Sequence, residues 1–289
     1  MLPQRSRRPL LAPALVTAVT ALAAGCASAP TPPVTAADVG ELKLGSITLL
    51  KGYLTREEYP DSLALLPPPP AEGSAALAAD GEAFRTLTAL QKGPRGAQAT
   101  RDAELRFPAA AGAFSCALGA KVDERGTPHL YMLLRRTLTD SALATYKAKD
   151  HYQRTRPFVV FNTGTCTPAS EPALRKDGSY PSGHSAIGWA WAEVLAQVAP
   201  ERADALLQRG RSFSQSRGVC GAHWKSDIEA GRLIGAAAVA RMQASPVYQA
   251  QLAAARDEVA KARAAGQVPA AGDCQAEADA LATSVQLAP

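Results

Sequence analysis

Beyond Gly25 the chain lacks any apolar run near the roughly 20 residues that a bilayer-crossing helix needs, which excludes a multi-span membrane protein. Runs with strand character are nearly as scarce. Only Ser46 to Leu50 and Phe158 to Phe161 qualify, and both are short, so a β-sheet architecture is not expected. No repeat of fixed period is found. Charge of one sign is also missing: of the net +5, three charges belong to Arg5, Arg7 and Arg8, and the +2 that remains is too weak to call for nucleic acid.

What is there fits one helical domain. The 289 residues are 47% hydrophobic, enough for a substantial core. Helical spacing predicts elements from about Ser74 onward, then over Ala109 to Leu118, Pro128 to Leu138, Ser141 to Gln153, Ala186 to Ala199, Glu201 to Arg211, Asp227 to Gln243 and Val247 to Ala264. The expected fold class is therefore all-α, a single-domain helical bundle. Arg5, Arg7 and Arg8 followed by apolar Leu10 to Gly25 read as a signal peptide over 1–25. Residues 26–42, rich in Ala, Pro and Thr, read as a flexible tether, and 43–289 as the domain.

Five cysteines set a parity problem. Cleavage before Cys26 with lipid on that cysteine leaves Cys116, Cys166, Cys220 and Cys274 to close two disulfides in an oxidising compartment; cleavage after Ala29 releases a soluble protein with one thiol over. The expected localisation is periplasmic with a lipid anchor at Cys26 in the outer membrane, the alternative being secretion. Of the three pairings open to four cysteines, the expected one joins Cys116 to Cys166 and Cys220 to Cys274.

Three patches carry chemistry. In KDHYQRTRP, Lys149 and Arg156 are two helical turns apart, so one helix would present both cations on one side. In GSYPSGH, Ser182 reads as a helix cap and Gly183 allows close backbone approach, so the turn offers N–H groups to an anion with His184 at its edge. Ser182 lacks the flanking glycines of a nucleophile elbow. In SRGVCGAHWKSD, His223 and Asp227 are four apart, so on a helix the carboxylate can orient the ring, with Arg217 six residues earlier. His129 and His151 have no comparable setting and read as surface or packing residues, Asp150 as structural, and the three tryptophans as packing.

Lys149-x6-Arg156-Pro157, Pro181-Ser-Gly-His184 and Ser216-Arg217-x5-His223-x3-Asp227 together resemble the three-part signature of the acid phosphatase and vanadium haloperoxidase superfamily, the type 2 phosphatidic acid phosphatase group. The segments LPPPPAEGSAA, LLRRTLTD, AKDHYQRTRPF, GSYPSGHSAIGWA and CGAHWKSD look like the bacterial class A non-specific acid phosphatases in particular. The likeness spans about Leu65 to Gln243, with the core motifs in 147–243. Ser185 stands where threonine is common, and Gly218 and Ala222 replace bulkier residues, which bears on the pocket rim and not on any charged group.

The resemblance implies His223 as phosphoryl-accepting nucleophile, Asp227 as its orienting partner and His184 as acid and base. It also implies Lys149, Arg156, Ser182, Gly183 and Arg217 around the phosphate oxygens, without a metal or other cofactor. Phosphomonoesters are the expected small-molecule partners and a homo-oligomer the expected assembly. A vanadium haloperoxidase, a lipid phosphatase, a metallohydrolase using His184, His223 and Asp227, and a phosphate-binding lipoprotein without turnover are the rival readings.

Overall fold

The computed structural model describes residues 31–45 and 47–282. The signal peptide reading and Cys26 therefore lie outside the described residues. Within them the chain is helical, as expected. The one sheet is a hairpin of β1 (Glu41–Leu44) and β2 (Ile47–Leu50), with Glu41 paired to Leu50. Part of the expected tether is thus structured, including a single helical turn at Ala36–Val39.

The longer helices are α1 (Ala75–Thr88), α2 (Pro94–Asp102), α3 (Pro128–Leu143), α4 (Tyr146–Tyr152), α5 (Gly183–Val198), α6 (Ala203–Val219), α7 (Lys225–Met242), α8 (Pro246–Ala264) and α9 (Ala271–Ala282). Two expectations need correction. The run Phe158 to Phe161 is not a strand: Pro157 opens a one-turn helix over Pro157–Val160, as a proline at the first helical position readily does. The helix expected over Ser141 to Gln153 is broken at Ala144 and Thr145 into α3 and α4.

Helix α5 is the central rod, packed on α3, α6 and α7. Its apolar face buries Ala186, Ile187, Ala190, Val194 and Leu195, and Trp191 donates its indole N–H to the Leu134 carbonyl at 2.8 Å. Glycine permits the close approach of α7: a Cβ on Gly231 would stand 2.4 Å from the Ser182 carbonyl oxygen, and one on Gly235 2.3 Å from that of Ala186. The N-terminal ends of α5 and α7 are thereby held side by side.

The disulfides join Cys116 to Cys274 and Cys166 to Cys220, which overturns the expected pairing. The reason is the path of the chain. The loop carrying Cys166 lies against the end of α6, where the Cys166 N–H donates to the Cys220 carbonyl at 3.1 Å, while Cys274 on α9 returns to the short helix Ser115–Leu118.

Substituting Gly235→Ala should lower stability by about 1–3 kcal/mol, the usual cost of overpacking against backbone. Gly112→Ala, with nothing within 4 Å of the added methyl, should stay within about 0.5 kcal/mol of the parent. Chemical denaturation of the two variants side by side checks both.

Candidate active site

The sites begin with how the chain turns. Gln153 takes a left-handed conformation (φ 43°) and ends α4, and the extended Arg156 then caps the Pro157 helix. Lys149 and Arg156 are therefore not on one helix, as expected from their spacing, but on two elements separated by this turn. Both are buried. His223 likewise precedes α7 instead of riding on it: Trp224 is the cap residue and Asp227 lies in the first turn. The close pairing of His223 and Asp227 survives because the chain folds back at the cap.

Asp227 joins the patches. Its carboxylate accepts from the Trp224 N–H at 2.9 Å, from Arg154 Nη1 at 2.6 Å and from His223 Nδ1 at 3.3 Å, and its carbonyl accepts from the Ser182 N–H at 2.9 Å. On the far side of the ring, Arg156 Nη1 lies 3.0 Å from His223 Nε2. A guanidinium can only donate, so Nε2 holds the lone pair and the ring proton sits on Nδ1, toward Asp227. His223 is 3 % exposed. Burial, then Arg156, Lys149 and Arg217, hold its pKa well below the usual imidazole value.

His184 is the second residue of α5 and is half-buried. Its Nε2 is 3.1 Å from the Ala103 carbonyl oxygen. A carbonyl only accepts, so Nε2 carries the proton and Nδ1 is the nitrogen left to exchange one. Burial and Arg217 depress its pKa as well, with smaller contributions from His223 and Arg156. Ser182 caps α5 by accepting from the Ser185 N–H at 3.2 Å and also accepts from the Ser185 hydroxyl at 2.9 Å. Gly183 begins the helix, so its N–H has no intrahelical partner.

The cations differ in how they are engaged. Lys149 Nζ donates to the Gly178 carbonyl at 2.6 Å and lies 3.4 Å from Asp177, and burial lowers its pKa to about 8. Arg156 is saturated by Leu174, Asp177, Gly178, Ala222 and His223. Arg217 is only 2 % exposed, yet its Nε and Nη1 have no partner. A buried cation with unused donors is costly unless an anion completes it. Three cations beside a helix N-terminus thus make a site for a small, multiply charged oxyanion. Among the described residues, no three His, Cys, Asp or Glu side chains gather as a metal site.

Sequence reasoning missed Arg154 and Asp80. Arg154 bridges Asp227 to Asp80 (2.7 Å), and Asp80 in turn accepts from the Ser226 N–H and hydroxyl. Arg154, the first arginine of RTR, was a visible signal; Asp80, on α1, offered none. Asp177, directly ahead of GSYPSGH, was also given no role. Trp224 packs against Phe84 and Phe161 and donates to the Thr155 carbonyl at 2.8 Å. Of the remaining histidines, His129 meets Gln251 and His151 meets Tyr152, both away from the site.

Residues 127–249 match the family model described as PAP2 superfamily. The chain is 44% identical over 210 residues to the non-specific acid phosphatase of Providencia stuartii, covering 72% of this chain and 85% of that one. It is 44% identical over 218 residues to that of Salmonella typhimurium, covering 75% and 87%. An acid phosphatase of Zymomonas mobilis is 38% identical over 211 residues, covering 73% and 80%.

Arg154→Ala leaves the buried Asp227 carboxylate without its cation, an expected loss of about 3–5 kcal/mol near neutral pH. Burial already pushes the Asp227 pKa up, and the substitution raises it further above the unfolded value. The deficit is then largest at high pH, where the carboxylate must stay charged, and shrinks as pH falls and the group takes a proton. Thermal unfolding of parent and variant across pH 4.5 to 8 reads this directly.

Proposed function

Because the chain belongs to the PAP2 superfamily and is an acid phosphatase of the bacterial class A non-specific kind, we propose that it hydrolyses phosphate monoesters through a phosphohistidine on His223, without a metal. The observation that carries this reading is the tautomer of His223. Its lone pair is on Nε2, within the cation cluster, and its proton faces Asp227.

In the first step Nε2 of His223 displaces the ester oxygen from phosphorus. Asp227 keeps accepting the Nδ1–H hydrogen bond and stabilises the ring as it becomes cationic, and His184 delivers a proton from its own Nδ1 to the departing alkoxide. In the second, His184 takes a proton from water, which attacks phosphorus, breaks the P–N bond and frees inorganic phosphate and neutral His223. Lys149, Arg156, Arg217, Ser182 and the Gly183 N–H would surround the three non-bridging oxygens, where the charge of the transition state spreads. Burial and Arg217 depress His184, and a bound phosphate opposes the second of these by countering the cation. The same cation cluster opposes a divalent metal at His184 and His223. A broad substrate range and phosphotransfer to alcohols fit an intermediate that any hydroxyl can intercept.

Burial of His223, with Arg156, Lys149 and Arg217 beside it, suits the ring to work in acid. A nucleophile whose pKa lies well below about 6.5 stays unprotonated there. We also propose export by residues 1–25, a periplasmic location with a lipid at Cys26 or else secretion, and a homo-oligomer. The two disulfides support an oxidising compartment. Among the described residues no helix is long and apolar enough to cross a membrane, which favours small phosphomonoesters over the lipid phosphatase reading.

Hydrolysis of p-nitrophenyl phosphate should persist in EDTA, be blocked by vanadate, and vanish in His223→Ala, with acid-labile phosphate trapped on His223 of the parent. Chelator-sensitive turnover without a trapped intermediate would overturn the proposal. Arg217→Gln should cost about 10² to 10³ in kcat, and because it removes a positive neighbour of His223, the acid limb of kcat/KM should move to higher pH.

A further inference from the structure

Among the described residues, Asp177 is the one acidic side chain that touches the Lys149 and Arg156 cations: its Oδ2 lies 3.4 Å from Lys149 Nζ and 3.0 Å from Arg156 Nη2. Both cations are buried, whereas the Asp177 side chain is 39 % exposed. A cavity of about 100 Å³ lined by Arg154, Arg156, Lys176 and Asp177 adjoins it, so the carboxylate has room to turn away. Arg156 meanwhile has no donor to spare. Its Nε and Nη1 are committed to backbone carbonyls and to His223, and Nη2 is shared between Asp177 and the Gly178 carbonyl.

An oxyanion can therefore gain Arg156 only by displacing an existing acceptor. The cheapest to release is the Asp177 carboxylate, because it returns to water when it leaves, whereas the carbonyls are fixed in the backbone and His223 gives up its contact with Arg156 only as Nε2 meets phosphorus. Its negative charge also opposes any anion that enters.

We propose that Asp177 is an internal competitor for the phosphoryl group. It fills the outer edge of the Lys149 and Arg156 clamp when the site is empty and yields to phosphate, lowering affinity for substrate and product alike. This inference rests on the acid phosphatase reading. Its benefit lies in release: inorganic phosphate would otherwise meet three cations with nothing to replace it as it departs. Arg217, with unused donors, is the cation that engages an arriving anion before Asp177 moves.

The experiment is calorimetric titration of the purified protein with inorganic phosphate, together with KM and kcat for p-nitrophenyl phosphate, in the parent and in Asp177→Asn, Asp177→Ala and Asp177→Glu. Asn and Ala should tighten phosphate binding on the order of tenfold, a like-charge effect moderated by partial exposure. KM should fall by a similar factor, kcat should not rise, and the gain should shrink as ionic strength increases. Glu, which keeps the charge, should bind phosphate as the parent does. Unchanged or weaker phosphate binding in both Asn and Ala would overturn the inference and leave Asp177 as a residue that merely holds the cations in position. A parent that neither bound phosphate nor hydrolysed the ester would instead overturn the phosphatase reading beneath it.

Discussion

Everything at the site leans on one buried carboxylate. Asp227 sits in the first turn of α7, and its backbone carbonyl receives the Ser182 N–H, tying the loop before α5 to the start of α7. Its side chain faces Arg154 on one side and His223 on the other. One residue thus sets the position of two helix ends and the tautomer of a ring. The arrangement requires that α5 and α7 touch, which is why the space above the Ser182 carbonyl belongs to Gly231. Any side chain there would push apart His184, in the first turn of α5, and His223, just ahead of α7. Packing and chemistry are the same constraint at this point.

The site is also electrostatically unfinished. Lys149, Arg156 and Arg217 are buried together, and each is disfavoured by desolvation. Carboxylates answer some of this charge: Asp177 from the rim and Asp227 from behind. Arg217 is left with open donors. A fold tolerates such an arrangement where a ligand completes it, because the binding energy of the anion is then concentrated where charge accumulates during reaction. Burial, and after it the cations, also depress both imidazole pKa values, so the two rings do not add to the charge of the cluster in the empty site.

The sequence made much of this legible, and the parts it hid share a cause. The spacing from Lys149 to Asp227 carried the polar residues of the cluster, and the capping role of Ser182 followed from a serine ahead of a small, apolar run. Periodicity found the central helices because α5 is apolar over its length. What stayed hidden depends on distant partners. Asp80 meets Arg154 and Ser226 only after α1 folds across the end of α7. The disulfide pairing follows the routes of two loops, which four cysteine positions do not encode. Phe158 to Phe161 looked extended because β-branched and aromatic residues favour strands, but the preceding proline starts a helical turn, of which Pro157 and Phe158 are buried. Lys149 and Arg156 seemed to share a helix because nothing in Gln153 announces a left-handed residue.

The second histidine is fixed by a different route, from behind. Its acceptor, the Ala103 carbonyl, lies at the C-terminal cap of α2. The residue before it, Asp102, is buried and bound to Arg209 at 2.5 and 3.2 Å and to the Ser216 hydroxyl at 2.5 Å. Ser216 is the neighbour of Arg217, so one buried cluster anchors both the acceptor of His184 and the helix that presents the open cation. Arg209 also reaches Glu277 on α9 at 3.2 Å, and α9 is stapled to the body by Cys116 and Cys274. Helix α9 holds none of the residues gathered around His184 and His223, yet it shares in holding the end of α2 against α6. A buried ion pair of this kind is weak evidence for added stability, since desolvation consumes much of the attraction. Its value here is geometric: three hydrogen bonds from Arg209 and Ser216 to the Asp102 carboxylate hold α2 against α6, and that position sets where the proton of His184 points.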